Sequence, residues 1–190
     1  MSPVVDFIAP AWRFISAMLG LRRRPKLYVH PFDPEHDLKY WHLDPPSNEV
    51  RRAVTLDVSN QGVDTAKRCV ATLDITWTPV GVTLRERRYA LHWADVPYSL
   101  RNTGSQPVDI GPEIQRLDVA FTRAAQDVPG CWIATPAALV LASIDQAYLR
   151  PGNYEGLLTV TCENGRGARL KVTLHSPDKW RDLSAIFSPA

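Results

Sequence analysis

At 190 residues, 45% hydrophobic and 22% charged, the chain is long enough to bury one core without metals or disulfides, which predicts one domain with an appendage. A formal net charge of +2 excludes any polyanion-binding role argued from global charge, although Arg22, Arg23, Arg24 and Lys26 crowd together near the start. Three widely spaced cysteines, Cys69, Cys131 and Cys162, match neither a disulfide framework nor a zinc pattern and point to a reducing compartment, while sixteen prolines and ten glycines among short apolar runs predict an all-β class.

Residues 1–25 form the first predicted element. On a helical wheel, positions 4–21 gather Val4, Phe7, Ile8, Ala11, Trp12, Phe14, Ile15, Met18, Leu19 and Leu21 on one half, with Val5, Asp6, Ala9, Pro10, Arg13, Ser16, Ala17 and Gly20 on the other. This is an amphipathic helix, with Pro10 suited to a first turn. The arginines follow the apolar run, the reverse of a secretory signal. Asp6 and Arg13 would each cost about 2.5–3.5 kcal/mol at a bilayer centre, so lying in the interface costs less than spanning. If the segment does span, its basic flank stays in the cytoplasm, so both membrane readings leave the domain on the cytoplasmic side. Phe7, Trp12, Ile15 and Leu19 are the candidate inserting residues, and Arg22, Arg23 and Arg24 the candidate phosphate contacts. The same face suits docking on a partner subunit.

From Lys26 onward the apolar period changes from 3.6 to 2. Leu27 and Val29 open a short strand. Residues 51–59 place Val54, Leu56 and Val58 inward, and Asn60-Gln61-Gly62 supplies a turn. Residues 66–77 place Cys69, Ala71, Leu73, Ile75 and Trp77 on one side, ending before Pro79. Further strands are predicted at 87–93, with Tyr89, Leu91 and Trp93 inward, and at 115–123, with Leu117, Val119 and Phe121 inward against Arg116, Asp118 and Thr122. The stretch 132–149 reads as a buried strand plus a crossover. Residues 154–163, with Tyr154, Leu158, Val160 and Cys162 inward, pair through Asn164-Gly165 with 168–175, where Leu170, Val172 and Leu174 point inward, as a β-hairpin. About seven such strands predict two antiparallel sheets packed face to face, with a barrel as the structural rival.

Chemistry is sparse. His30, Asp33, Glu35, His36, Asp37, His42 and Asp44 crowd a proline-punctuated connection in a spacing that matches no ligand motif, so no metal is assigned. His92, Trp93, Asp95 and Tyr98 could line a sugar or peptide groove, but the phase of Trp77 and Trp93 favours core packing. Arg51, Arg52, Arg85, Arg87, Arg88 and Arg101 read as solvated strand edges, and no nucleic-acid partner is expected. There is no phosphate loop, nucleophile elbow or His-Glu-x-x-His helix, and neither a catalytic residue nor a cofactor is assigned.

Three pieces carry a family likeness: Val54-Thr-Leu-Asp-Val-Ser-Asn60-Gln-Gly62 with Thr65-Ala66, a Gly111-Pro112 turn into Leu117-Asp-Val-Ala-Phe121, and Leu149-Arg-Pro151-Gly152-Asn-Tyr154. Over residues 26–176 the chain resembles the immunoglobulin-like CARDB modules, cell-adhesion-related β-sandwich domains of bacteria and archaea. The resemblance implies an immunoglobulin-like fold and, by analogy, a binding or spacer role. Cys69 and Cys162 both fall on inward faces and could approach each other, with separate buried thiols the expected state in a reducing compartment.

The expected organisation is an amphipathic helix with a basic flank over 1–25, a single antiparallel immunoglobulin-like β-sandwich over 26–178 and a C-terminal tail over 179–190. The expected function is a non-catalytic interaction or scaffold protein, peripheral or anchored at the inner membrane face, whose residues 4–24 meet a membrane surface or a protein partner. A subunit docked in a larger assembly, or a carbohydrate-binding module, are the alternatives.

Overall fold

Alternation with period two requires neighbours that bury one face, and two antiparallel sheets supply it. The computed structural model describes residues 24–31, 40–42, 50–94, 96, 106–123, 128–140 and 145–190, so the helix expected over 4–21 lies outside the described residues. The first sheet contains β1 (Leu27–Pro31), β2 (Tyr40–His42), β3 (Val50–Asn60), β6 (His92–Trp93), β8 (Gln115–Arg123), β9 (Cys131–Ile133) and β10 (Tyr148–Leu149). Its order is β1-β3-β8-β9-β10, with β2 also on β3 and β6 also on β8. The second contains β4 (Ala66–Trp77), β5 (Arg88–Ala90), β7 (Val108–Ile110), β11 (Gly152–Thr161), β12 (Ala168–Ser176) and β13 (Ser184–Pro189), in the order β13-β12-β11-β4-β5 with β7 also on β4.

The inner faces share one core. Leu56, Val58 and Leu117 come from the first sheet, and Leu73, Leu158, Val160 and Val172 from the second. The chain changes sheet at Leu91: Tyr89 lies opposite Leu73, the Leu91 amide donates to the Ala71 carbonyl at 2.9 Å, and His92 and Trp93 join β8. Such corners join the two layers of a sandwich. A second corner is tied by Tyr154, whose hydroxyl donates to the Arg150 carbonyl at 2.8 Å while its ring is fully buried.

Two register slips alter the expected faces. In β4 the partner of Glu155 is Trp77 while that of Gly156 is Ile75, leaving Thr76 as an extra residue. A bulge reverses the alternation beyond it. Trp77, expected inward, is consequently 47% exposed. The second slip leaves Val119 extra in β8, between Asp118 opposite Thr55 and Ala120 opposite Val54. Beside it Val54 is half-buried and Ala53 buried.

Asp118 and Thr122, expected outward, are also buried, because other elements cover that face of β8. Asp118 Oδ2 lies 3.2 Å from Nδ1 of His92, whose Nε2 is 2.9 Å from the Val96 carbonyl oxygen. The Thr122 hydroxyl donates to the Trp180 carbonyl at 2.9 Å. The C-terminal tail is also corrected from residue 184 on: Ser184–Pro189 pairs with β12 as an edge strand, from Ser184 opposite His175 to Pro189 opposite Leu170.

The stretch 132–149 holds the buried strand expected of it, as β9, followed by a short helix α1 (Pro136–Val140). Thr135 caps that helix, accepting from the Ala138 amide at 3.1 Å, and Pro136 occupies its first turn.

Candidate functional site

A tightly constrained junction lies where the chain enters β1. Pro25 is buried between two turns. A Cβ on Gly62 would lie 2.6 Å from both the Arg24 carbonyl oxygen and the Pro25 Cα, and one on Gly165 would lie 2.5 Å from the Pro25 carbonyl oxygen. The chain passes between these turns because neither residue carries a side chain.

Backbone and amide groups close the junction. The Lys26 amide donates to Asn60 Oδ1 at 3.2 Å, and the Gln61 amide to the Lys26 carbonyl at 2.9 Å. On the other side the Arg166 amide donates to the Pro25 carbonyl at 2.9 Å, and the Leu27 amide to the Arg166 carbonyl at 3.0 Å. Asn60 is 2% exposed; its Oδ1 also accepts from Gly62, and its Nδ2 donates to the carbonyls of Asp64 and Ile110. Both ends of this buried amide are therefore satisfied. Asn164 fixes the opposite turn, accepting from the Lys67 amide at 2.8 Å and donating to the Thr65 carbonyl at 2.9 Å.

Beside the junction, an open groove of about 720 Å³ runs between β1 and the ends of β12 and β13. Lys26, Arg166 and Arg169 line it, all exposed, and no acidic side chain does. Among the described residues none of these three cations forms an ion pair. The outer face of β1 carries a ladder at alternate positions: the Lys26 ammonium lies 4.6 Å from the Tyr28 ring centroid, and the Tyr28 and His30 rings stack at 6.4 Å. His30 Nε2 is hydrogen-bonded to Ser59 Oγ at 3.0 Å. The result is a cationic, aromatic-edged strip suited to anionic groups.

Of the residues singled out in the sequence, Arg24 is exposed at this junction. Phe7, Trp12, Ile15, Leu19, Arg22 and Arg23 lie outside the described residues. Of the histidine-rich stretch, only His30 has a described side chain. Among the described residues no group of three His, Cys, Asp or Glu side chains could hold a metal ion, and no helix is long and apolar enough to cross a membrane. Trp93 and Trp132 are 1% and 6% exposed, so neither ring offers a stacking face, and the Trp41 side chain lies outside the description. The His92–Asp118 pair is sealed from solvent at 4% and 2% exposure. Arg85, Arg87 and Arg88 are exposed, with Arg88 Nε 3.4 Å from Asp74 Oδ1.

Arg166 and Arg169 were not legible as site residues, because they sit 140 positions or more beyond Lys26 and only the parallel bridge between Lys26 and Arg166 unites them. The Asn60-Gln61-Gly62 and Asn164-Gly165 turns were visible, but not as two sides of one clamp. Phenol and thiol groups in the core are held neutral. Burial pushes Cys131 up to about 12, and burial raises Tyr89 and Tyr154 to about 12 as well. No protein-family model matches the chain, and no curated protein or solved structure shows significant similarity to it.

Proposed function

We propose that this chain is a non-catalytic interaction or scaffold protein, whose sandwich, of immunoglobulin-like type, is held at the cytoplasmic face of an anionic membrane by residues 4–24. The tyrosine corner formed by Tyr154 and Arg150 supports the immunoglobulin-like reading. The observation that carries the membrane reading is the position of the cations: Arg24, Lys26, Arg166 and Arg169 are exposed around the junction where the amphipathic segment joins the domain. Arg22 and Arg23 immediately precede them in sequence. Inserted Phe7, Trp12, Ile15 and Leu19 would bring this edge of the sandwich within a Debye length of the headgroups, where each Lys or Arg contributes about 1 kcal/mol.

The test is co-sedimentation of the full chain with phosphatidylcholine vesicles and with vesicles containing phosphatidylserine. Binding should require the anionic lipid and weaken with salt. It should be lost on deletion of residues 1–23 and fall steeply in the R166E/R169E double variant. Retention in the supernatant with anionic vesicles overturns the reading. A stoichiometric protein partner that resists salt and detergent would instead assign residues 4–24 to subunit docking.

A further inference from the structure

Two cysteines that stand 93 positions apart in the sequence are brought face to face by the pairing of β4 with β11. Val160 lies opposite Ala71 and Thr161 opposite Val70, so the next step of the register sets Cys162 opposite Cys69. The strands are still held together beyond that step: the Glu163 amide donates to the Lys67 carbonyl at 3.0 Å, and the Arg68 guanidinium lies 2.7 Å from the Glu163 carboxylate.

The pair type follows from the backbone. The Ala71 carbonyl accepts from Leu91 on the β5 side of the strand. Cys69, two residues earlier, therefore directs its own peptide groups away from β11, and it pairs there with Val108 of β7. The paired ladder ends at Thr161 and Val70, and the Glu163 amide reaches the Lys67 carbonyl past Arg68, whose φ is 49°. Cys69 and Cys162 thus sit beside a bulge at what would be a non-hydrogen-bonded position, where regular antiparallel Cα atoms are about 4.5 Å apart and side chains closest. A disulfide needs Cα atoms about 4.4–6.8 Å apart. Both cysteines are free thiols here, Cys69 fully buried and Cys162 half-buried.

We infer that Cys69 and Cys162 are a redox modification site, closing reversibly into a cross-strand disulfide when a small-molecule disulfide of the glutathione class is the oxidant. Cys162, the thiol with solvent access, reacts first. Its thiolate attacks one sulfur of the oxidant, the oxidant's S–S bond breaks, and a mixed disulfide forms with release of one small thiolate. Cys69 then loses its proton to solvent and attacks the Cys162 sulfur, releasing the second small thiolate. Two protein thiols are oxidised and one small disulfide is reduced to two thiols. With both thiols free, burial and then Cys162 push Cys69 up to about 12, and because the burial persists in the mixed disulfide the second step is the slow one. Closure would staple β4 to β11 next to the Asn164–Gly165 turn that grips Pro25.

The experiment incubates the full chain with oxidised glutathione under native conditions, quenches in acid, alkylates after denaturation and maps peptides by mass spectrometry. The expected product is one intramolecular Cys69–Cys162 link that dithiothreitol reverses, with Cys131 alkylated. The C131A variant should react as the parent does. C162S, a substitution at a half-buried position, should show neither link nor rapid glutathione adduct. Any of three outcomes overturns the inference: an adduct that stops at Cys162, a link that includes Cys131 or a second chain, or unchanged thiols after long incubation of a folded sample.

Discussion

Asn60 and Lys26 are joined across 34 positions of sequence by a hydrogen bond from the Lys26 amide to the Asn60 side-chain oxygen at 3.2 Å. One buried side chain thereby anchors β1, closes the Asn60-Gln61-Gly62 turn and reaches the end of β7 through the Ile110 carbonyl. Truncating it strands several partners at once. Asn60→Ala is expected to cost about 3 kcal/mol or more. Asn60→Asp retains the acceptor but sets a buried carboxylate oxygen against the Asp64 and Ile110 carbonyls, and at neutral pH should cost at least as much as Ala. Urea unfolding with an unchanged slope checks both.

Adding a methyl group at either jaw of the Pro25 clamp should loosen it. Gly62→Ala and Gly165→Ala each force an atom within 2.6 Å or less of the Arg24 or Pro25 backbone. The expected response is local: faster hydrogen exchange at the Leu27 and Gln61 amides and readier trypsin cleavage after Lys26, with global stability falling by about 1–3 kcal/mol. Unchanged exchange at both amides would refute the clamp.

Tyr154→Phe removes the hydroxyl that ties the Arg150 corner and leaves the buried ring in place. A loss of about 1–1.5 kcal/mol is expected. Tyr89→Phe, which breaks the 2.7 Å bond to the Glu86 carbonyl, should cost a similar amount. Thermal or urea unfolding of each single variant checks both values.

Alkali should unfold the domain in a defined window. Cys69 and Cys131 rise from 9.0 to about 12 on folding, and Tyr89 and Tyr154 from 10.0 to about 12. Between those limits the unfolded chain has released protons that the folded chain keeps, so stability falls as pH rises. The contribution is fully present below pH 9 and is lost progressively towards pH 12. Urea midpoints measured from pH 8 upward should decline across that window, and less steeply in a Tyr89→Phe/Tyr154→Phe variant once its lower baseline is subtracted.

Deleting β13 tests whether residues 184–189 belong to the domain. Its ladder with β12 runs over six residue pairs, and Phe187 and Ala185 are partly buried against the core. Truncation after Leu183 should lower the thermal midpoint and expose the Leu170–Leu174 side of β12 to exchange. An unaltered melting curve would return the segment to the role of a tail.

What the residues alone determined is the in-and-out phase of the longer strands. Leu56 and Val58, Ala71 to Ile75, Tyr154 to Val160 and Leu170 to Leu174 face the core as period two requires, because which side a residue takes is a local property of an extended chain. The turn at Asn60-Gln61-Gly62 and the hairpin through Asn164 and Gly165 were legible for the same reason. Tertiary structure decided everything that depends on a partner strand: the bulge at Thr76 that turned Trp77 outward, the covering of Asp118 and Thr122, the pairing of β13, the meeting of Gly62 with Gly165 around Pro25, and the facing of Cys69 by Cys162. Register is a relation between segments far apart in sequence, and no window of residues read alone contains it.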